Sequence, residues 1–390
     1  MERSRIDRLI MMQEHLDHVT RQSIEAVQLE KLNALLQKEK RRNGFYRELP
    51  ERLDSLDELC TLPFTTDENL AQNGPGLLLC SQREVQRVLS DATSGTTGAA
   101  KRVFYTEGDC ERTVELFMAG LGELIFPGNV TLIGFPFSGP YGLGELIAEA
   151  VTRLGAEPVK AGPGLCYGEW KKLLKNKQPD TFVGMPVQLL SLLRVCGRGS
   201  LRRALVSGDA CPKAVLHASE ELLGTKLFPH YGSREMALGG AICCQAHKGM
   251  HLRENHVIAE IVDEGGKPLP HGETGELVIT TIGMEAMPLI RYRTGDRTRV
   301  IPGPCPCGSE VLRLDTVQRG GEAAEIAELD ALLFSQPWVA DYRAERRNGK
   351  LHLEVLTCGQ GEPPALDADW DLRPVAETDR ALVQGKRKIL

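Results

Sequence analysis

The sequence has no run of about 18 uncharged apolar residues, which excludes a helix that spans a bilayer. Its first residues, MERSRIDRLIMMQEHLDHVTRQ, are mixed in charge and lack an apolar core of signal-peptide length. A soluble, untargeted, cytoplasmic protein is the expectation. No long Lys/Arg stripe is present: KEKRR from Lys38 to Arg42 and the terminal GKRKIL are the only short basic runs, and the formal net charge is -6. That balance argues against a nucleic-acid partner. The 11 cysteines are an odd number, scattered except for Cys243-Cys244 and Cys305-x-Cys307. A disulfide framework is therefore not indicated, and the pattern fits a reducing compartment with a metal site. There is no internal repeat, and 42% hydrophobic with 26% charged residues is an ordinary globular composition. Aromatic residues are scarce at 5%, against 40 glycines among 390 residues. Such a balance implies many tight turns and places where backbone comes close to a ligand.

The length allows roughly two or three domains. Residues 1 to 44 read as helical, with apolar residues at three- and four-residue steps until Asn43-Gly44 stops the pattern. A strand is expected at Val85 to Leu89. From there to about residue 300 short apolar runs alternate with helical stretches: strands near 130–135, 157–159, 181–183 and 201–207, and helices over 142–154, 169–177, 187–196 and 213–223. This is the βαβ rhythm of parallel sheets with helices on their faces, in which ligands sit beyond the carboxyl ends of strands. Val257 to Val262 and Gly275 to Thr281 read as an antiparallel hairpin with a long turn. A last unit has a helix over 325–334 and strands near 340–345 and 351–357 around Asn348-Gly349. The following GQGEPPALDADWD reads as loop.

The densest signal is Thr93-Ser94-Gly95-Thr96-Thr97-Gly98, followed by Lys101. Glycines let backbone N–H groups converge and hydroxyls add donors, which is the material of an anion-binding loop with phosphate as its guest. It is not the GxxxxGK[ST] nucleotide loop, because its glycines are too close together and its lysine comes three residues after the second. A second cluster places Cys243, Cys244, His247 and His251 about sixty residues before Cys305-Pro306-Cys307-Gly308. Two sulfurs at CxC spacing with a distant Cys/His set can supply a four-coordinate zinc site; four protein ligands leave no water position, so its role would be structural.

With these residues the sequence resembles the adenylate-forming (AMP-binding) superfamily, and within it the phenylacetate-CoA ligase branch. The phosphate loop of that branch reads SSGTTG, matched at 93–98 with threonine in place of the first serine and the lysine displaced to Lys101. Ser207-Gly208-Asp209-Ala210 resembles the segment lining the adenine pocket. Tyr231-Gly232-Ser233-Arg234-Glu235 resembles the YGxxE block, whose acidic residue helps hold magnesium, and Arg291-Tyr292-Arg293-Thr294-Gly295-Asp296 the RYRTxD block, whose aspartate holds the ribose hydroxyls. Cys305-Pro306-Cys307-Gly308 and Gly385-Lys386 complete the series.

The resemblance implies an α/β fold, with a large multi-subdomain body of parallel sheets and a β-hairpin region over 1–318 and a small, truncated α+β lid over 319–390. It implies that ATP, Mg2+ and a carboxylic acid give an acyl-adenylate and pyrophosphate, with coenzyme A as the next acceptor; a protein thiol on an acyl carrier or partner enzyme stays open as the alternative. Loop 93–98, with Thr96 among its catalytic groups, would cradle phosphates; Glu235 would hold magnesium, and Asp296 and Arg319 the ribose. Lys386 would bring a point charge to the carboxylate and α-phosphate. Arg319 stands in Val317-Gln318-Arg319-Gly320-Gly321-Glu322, where the family's two aspartates are missing, and only 33 residues follow Thr357, too few for the further strand and helix of a full lid. The zinc ligands it favours are Cys244, His251, Cys305 and Cys307, with Cys243 and His247 as alternatives. It would line the acyl pocket with Phe137, Tyr141, His230, Tyr231 and Gly232. The two aromatic residues suit an aryl or arylacetic acid and serve equally as core, while His230 or Arg234 could read a polar substituent. A homodimer is admitted, and neither membrane nor nucleic acid is expected as a partner.

Overall fold

The structure, a computed structural model, describes residues 3–90, 101–320 and 323–390. The chain packs as two compact units, Met1–Glu123 with His230–Val317 and Leu124–Pro229 with Gln318–Leu390. The segment 319–390, expected as a lid of its own, thus lies within the second unit.

In the first unit the N-terminal stretch forms two helices, Arg5–Glu14 and Arg21–Arg41. Thr20 caps the second reciprocally with Ser23, satisfying two orphan N–H groups. Ile6, Ile10, Val19 and Ile24 are buried against Leu116 and Ala119 of the helix Glu107–Leu121 and against Ile242 and Val311. That central helix and the preceding hairpin strand Arg102–Thr106, paired antiparallel with Val85–Ser90, were not read from the pattern. Ile258–Val262 and Gly275–Thr280 form the expected antiparallel hairpin, and Tyr292–Thr298 joins it. Ala241–Cys243 pairs with Met250–Leu252, which pairs in turn with Arg313–Leu314.

The second unit holds the parallel strands. Val130–Ile133 pairs with Glu157–Lys160 on one side and with Thr181–Gly184 on the other, followed outward by Arg203–Val206 and the start of Phe228–Tyr231. The chain therefore reverses its direction of travel beside Val130–Ile133, and the crevice of such a sheet lies at the carboxyl ends there. Phe135 to Tyr141 follow that strand, and Ser207 to Ala210 follow Arg203–Val206. Leu132, Phe182, Leu189, Ala204 and Val206 form the core between sheet and helices.

The C-terminal segment has the expected helix, Ala323–Phe334, and the hairpin Val339–Arg347 with Lys350–Thr357. Asn348 and Gly349 both take positive φ (52° and 80°), the signature of a two-residue turn whose twist matches its strands. One expectation fails. Ala368–Pro374 is a third strand, parallel to Lys350–Thr357, where a loop and a missing strand were read. Its half-buried Ala368 and Trp370 alternate with exposed Asp369 and Asp371, a period of two that acidic residues and flanking prolines disguise. Ile326, Leu333, Trp338, Tyr342 and Leu353 pack with Leu190 and Val215 in one core. Among the described residues no helix is long and apolar enough to cross a membrane.

Candidate active site

The expected phosphate loop, Thr93, Ser94, Gly95, Thr96, Thr97 and Gly98, lies outside the described residues. Lys101, which follows it, is described and is held on three sides. Its Nζ lies 2.5 Å from Glu235 Oε1 and 2.7 Å from Asp67 Oδ1 and donates to the Tyr292 hydroxyl at 2.6 Å. Burial alone would push the Glu235 carboxyl up, but the Lys101 ammonium and local hydrogen bonds hold it below its ordinary value. Burial likewise pulls Lys101 down, and Glu235 with Asp67 more than offsets it. The two side chains, Glu235 buried and Lys101 half-buried, form an ion pair that stays charged at neutral pH.

Glu235 sits on the short helical turn Arg234–Met236, just after the strand Phe228–Tyr231. The turn is tight because Ser233 O accepts from Met236 N at 3.3 Å and Leu238 N at 2.9 Å. Gly232 is required there: a Cβ would come 2.4 Å from Leu238 O and 2.7 Å from its carbonyl carbon. Tyr231 donates its hydroxyl to Asp296 Oδ2 at 2.7 Å. Burial and the Asp296 charge push the Tyr231 phenol well up, so it remains a donor and orients the carboxylate. His230 stacks on Phe117 with ring centroids 4.9 Å apart, and burial pushes its imidazole down to about 4, leaving it neutral.

The arginine of the Arg291–Asp296 block does a structural job. Arg291 is buried and makes a fork to Glu260, Nε to Oε2 and Nη2 to Oε1 both at 3.0 Å, and donates to the carbonyls of Cys60 and Leu62. Asp67 and the hydroxyl of Tyr292, which close around Lys101, were not foreseen. Asp67 looks like any acidic residue in a first helical turn, and nothing local marks its partner 34 positions on.

In the second unit Ser207 is buried, its N–H donating to Gly184 O at 3.0 Å, and Gly208 takes a φ of 87°. Asp209 Oδ2 accepts the Arg387 backbone N–H at 2.7 Å, and Arg319 Nη1 lies 3.8 Å from Asp209 Oδ1. Ala210, Phe137 and Tyr141 are half-buried, with Lys160 Nζ 5.4 Å from the Phe137 ring centre. Lys386 is exposed, whereas Arg387 beside it, read as part of a basic run, is buried.

Cys244, His251, Cys305 and Cys307 converge in the first unit, all four buried, with ligand atoms within 4.8 Å of one another. Cys244 Sγ lies 3.8 Å from Cys305 Sγ, and Cys307 Sγ 3.7 Å from His251 Nε2. A tetrahedral zinc ion with bonds of about 2.3 Å to sulfur and 2.0 Å to nitrogen sets these spacings at about 3.8 and 3.5 Å, so the donor set fits that ion. Strand pairing delivers Cys244 and His251, because Cys243 faces Met250 and Ile242 faces His251. The Cys305 to Gly308 knuckle closes by Gly308 N donating to Cys305 O at 2.8 Å, with Gly308 at φ 86°. Cys243 turns instead toward His247, Sγ to Nδ1 3.6 Å.

The profile of the family described as AMP-binding enzyme matches residues 88–286. Phenylacetate-coenzyme A ligase of Thermus thermophilus is 29% identical over 383 residues, covering 91% of this chain and 85% of its own length. The Escherichia coli enzyme of the same name is 32% identical over 268 residues, 65% of this chain and 60% of its own. Among solved structures, 2-hydroxyisobutyryl-CoA ligase in its postadenylation state superimposes with a TM-score of 0.75 at 18% identity, over 94% of this chain and 89% of that one. The likeness extends to its thioesterification state, at a TM-score of 0.69 and 20% identity over 95% and 90%. These two likenesses speak to the fold.

Proposed function

Because the chain belongs to the AMP-binding enzyme family, we propose that it is an ATP-dependent ligase that activates a carboxylic acid as an acyl-adenylate and passes the acyl group to coenzyme A. What chiefly supports this is the Lys101–Glu235 pair next to the Tyr231–Asp296 pair, within the blocks where such chemistry needs fixed charge. In the first step a carboxylate oxygen attacks the α-phosphorus of ATP, the bond to the bridging oxygen breaks, and pyrophosphate leaves. In the second, the thiolate of coenzyme A attacks the acyl carbon and AMP departs.

Each residue has a physical task. Thr93 to Gly98 and Lys101 offset the charge of the phosphates, and Ser207 to Ala210 lie against the adenine. An ionised carboxylate accepts several hydrogen bonds at once, so Asp296 takes ribose hydroxyls while Tyr231 orients it; Arg319 assists. Glu235 would hold Mg2+, a hard cation that needs only one or two carboxylates besides phosphate oxygens and water; when bound it neutralises phosphate charge. Lys386 lends its ammonium to the attacking carboxylate and the α-phosphate. For the acid, the first unit offers a neutral His230 with Tyr231 and Gly232, and the second offers the flat aromatic surface of Phe137 and Tyr141; these groups favour an aryl or arylacetic acid. Cys244, His251, Cys305 and Cys307 would hold a structural Zn2+, which when bound would tie the strand Met250–Leu252 to the 303–308 loop.

The test supplies ATP, Mg2+ and a panel of carboxylic acids with and without coenzyme A, following pyrophosphate and acyl-CoA. Pyrophosphate release without any thioester would transfer the second step to a protein thiol on an acyl carrier. Absence of pyrophosphate with every acid would remove the ligase reading.

A further inference from the structure

The residue after Lys386 is firmly held. Arg387 is 5% exposed, and Nε donates to Asp330 at 2.7 Å, Nη1 to Asp341 at 3.3 Å and Nη2 to Tyr342 O at 3.0 Å. The guanidinium also lies 4.3 Å from the Tyr342 ring centre and 5.1 Å from that of Phe334. Tyr342 in turn donates its hydroxyl to Asp330 at 2.7 Å, so the acidic box is itself braced.

The backbone of Arg387 is pinned at both ends. Its N–H, the peptide that joins it to Lys386, donates to Asp209 Oδ2 at 2.7 Å, and its carbonyl accepts from Arg319 Nη1 at 3.2 Å. The cavity lined by Asp209, Asp341, Gly385 and Arg387 has a volume of about 20 Å³, room for about one water. Past it, Leu390 exchanges backbone hydrogen bonds with the strand Val339–Arg347: its N–H donates to Ala344 O at 3.0 Å and its carbonyl accepts from Arg346 N at 2.9 Å. On the other side a Cβ added at Gly385 would meet nothing within 4 Å, so that position borders open space. Lys386 therefore stands next to a locked residue, its side chain in solvent and its carbonyl-side peptide fixed on Asp209.

We infer that Arg387 is the positioning residue for Lys386: its burial in the Asp330/Asp341 box fixes the peptide from which the lysine ammonium is delivered, and Asp209 ties that peptide to the 207–210 segment. The inference rests on the reading of Lys386 as the adenylation lysine. The energetic logic is that of effective concentration. A lysine on a free tail samples many directions, whereas one rooted at a pinned peptide has only its own rotors to settle, and misplacement by about 1 Å is enough to cost on the order of 10²-fold in rate. Lysine cannot replace arginine here, because one ammonium cannot span two carboxylates and a carbonyl in the plane that a guanidinium fork satisfies.

The experiment measures ATP–pyrophosphate exchange at 25 °C with the full-length protein, extracting kcat and KM for ATP, beside a thermal melt. The variants are Lys386→Ala, Arg387→Lys, Asp330→Asn and, as a stability control, Leu353→Ala, which removes a buried side chain from the core of the same segment. Arg387→Lys is expected to lower kcat by about 10- to 100-fold with KM for ATP unchanged within about threefold, Asp330→Asn to fall between it and wild type, and Leu353→Ala to lower the melting temperature while keeping kcat. Should Arg387→Lys not fold, Asp330→Asn carries the test alone. Wild-type kcat in the folded Arg387 and Asp330 variants, alongside a crippled Lys386→Ala, overturns the positioning role while leaving Lys386 in place. A kcat loss in Leu353→Ala that matches theirs at equal melting temperature also overturns it, since the effect would be general loosening. Unchanged exchange in Lys386→Ala removes the parent reading itself.

Discussion

Replacing Cys305 by serine tests the zinc cluster most directly. Its Sγ is 3.8 Å from Cys244 Sγ, the edge length of a tetrahedron around one ion, and all four donors are buried. Removing one thiolate leaves three donors around a doubly charged ion in a closed site, so occupancy should fall from about one zinc per chain to below about 0.2. A site populated at about 1,000 times its Kd contributes RT ln(1 + [L]/Kd), about 4 kcal/mol, to the folded state. The unit that contains it comprises Met1–Glu123 and His230–Val317. For a unit of that size each kcal/mol moves Tm by about 2–4 °C, so the loss is about 8–16 °C. The assay measures metal released from protein purified without added zinc, then compares thermal melts with and without a chelator. Wild type should drop on chelation to the melting temperature of Cys305→Ser, and Cys305→Ser should not respond. Cys243→Ser should keep its metal, because that sulfur faces His247. Wild-type protein with less than about 0.2 zinc per chain, or a melting temperature indifferent to the chelator, refutes the reasoning.

Three further outcomes follow from the first unit. Lys101→Met leaves Glu235 buried without its cation and should cost about 3 kcal/mol or more; Glu235→Gln in the same chain should recover part of that loss in a double-mutant cycle, and purely additive losses would contradict the pair. Gly232→Ala forces a Cβ against the Leu238 carbonyl and should destabilise by about 1–3 kcal/mol, seen as a lower denaturant midpoint; a midpoint equal to wild type would contradict the close approach. His230 takes up a proton near pH 6.5 when unfolded but only near pH 4 when folded, so its contribution is intact above pH 6.5 and is lost as pH falls toward 4. Over that window the loss approaches about 3 kcal/mol, and His230→Phe should make the fall in stability between those pH values shallower by up to one proton; equal slopes would exclude a buried neutral His230.

The residues that the sequence made legible are those whose signal is local. Parallel strands declared themselves as short apolar runs between helical periods, and the Asn348-Gly349 turn by its residue types, because side-chain burial repeats every two or 3.6 positions and turns need particular backbone angles. The Cys/His spacing was likewise compact enough to read. The strand Ala368–Pro374 escaped because its exposed face is acidic and its neighbourhood rich in proline, so composition outweighed alternation.

Partnerships across long stretches of chain were beyond pattern. Lys101 meets Asp67 and Tyr292, the latter 191 positions away, and Arg387 meets Asp209 across 178. A charged side chain looks the same in a sequence whether solvent or a buried carboxylate will surround it, and only the pairing of distant strands and helices decides. So the sequence by itself determined the kinds of element and the inventory of ligating groups. The tertiary structure alone decided that Arg291 braces a loop, that Cys243 turns to His247, and that a short basic run holds a locked arginine. The physical reason is that burial converts a weak surface charge into a costly one, and only the folded chain shows which charges are buried and by what they are met.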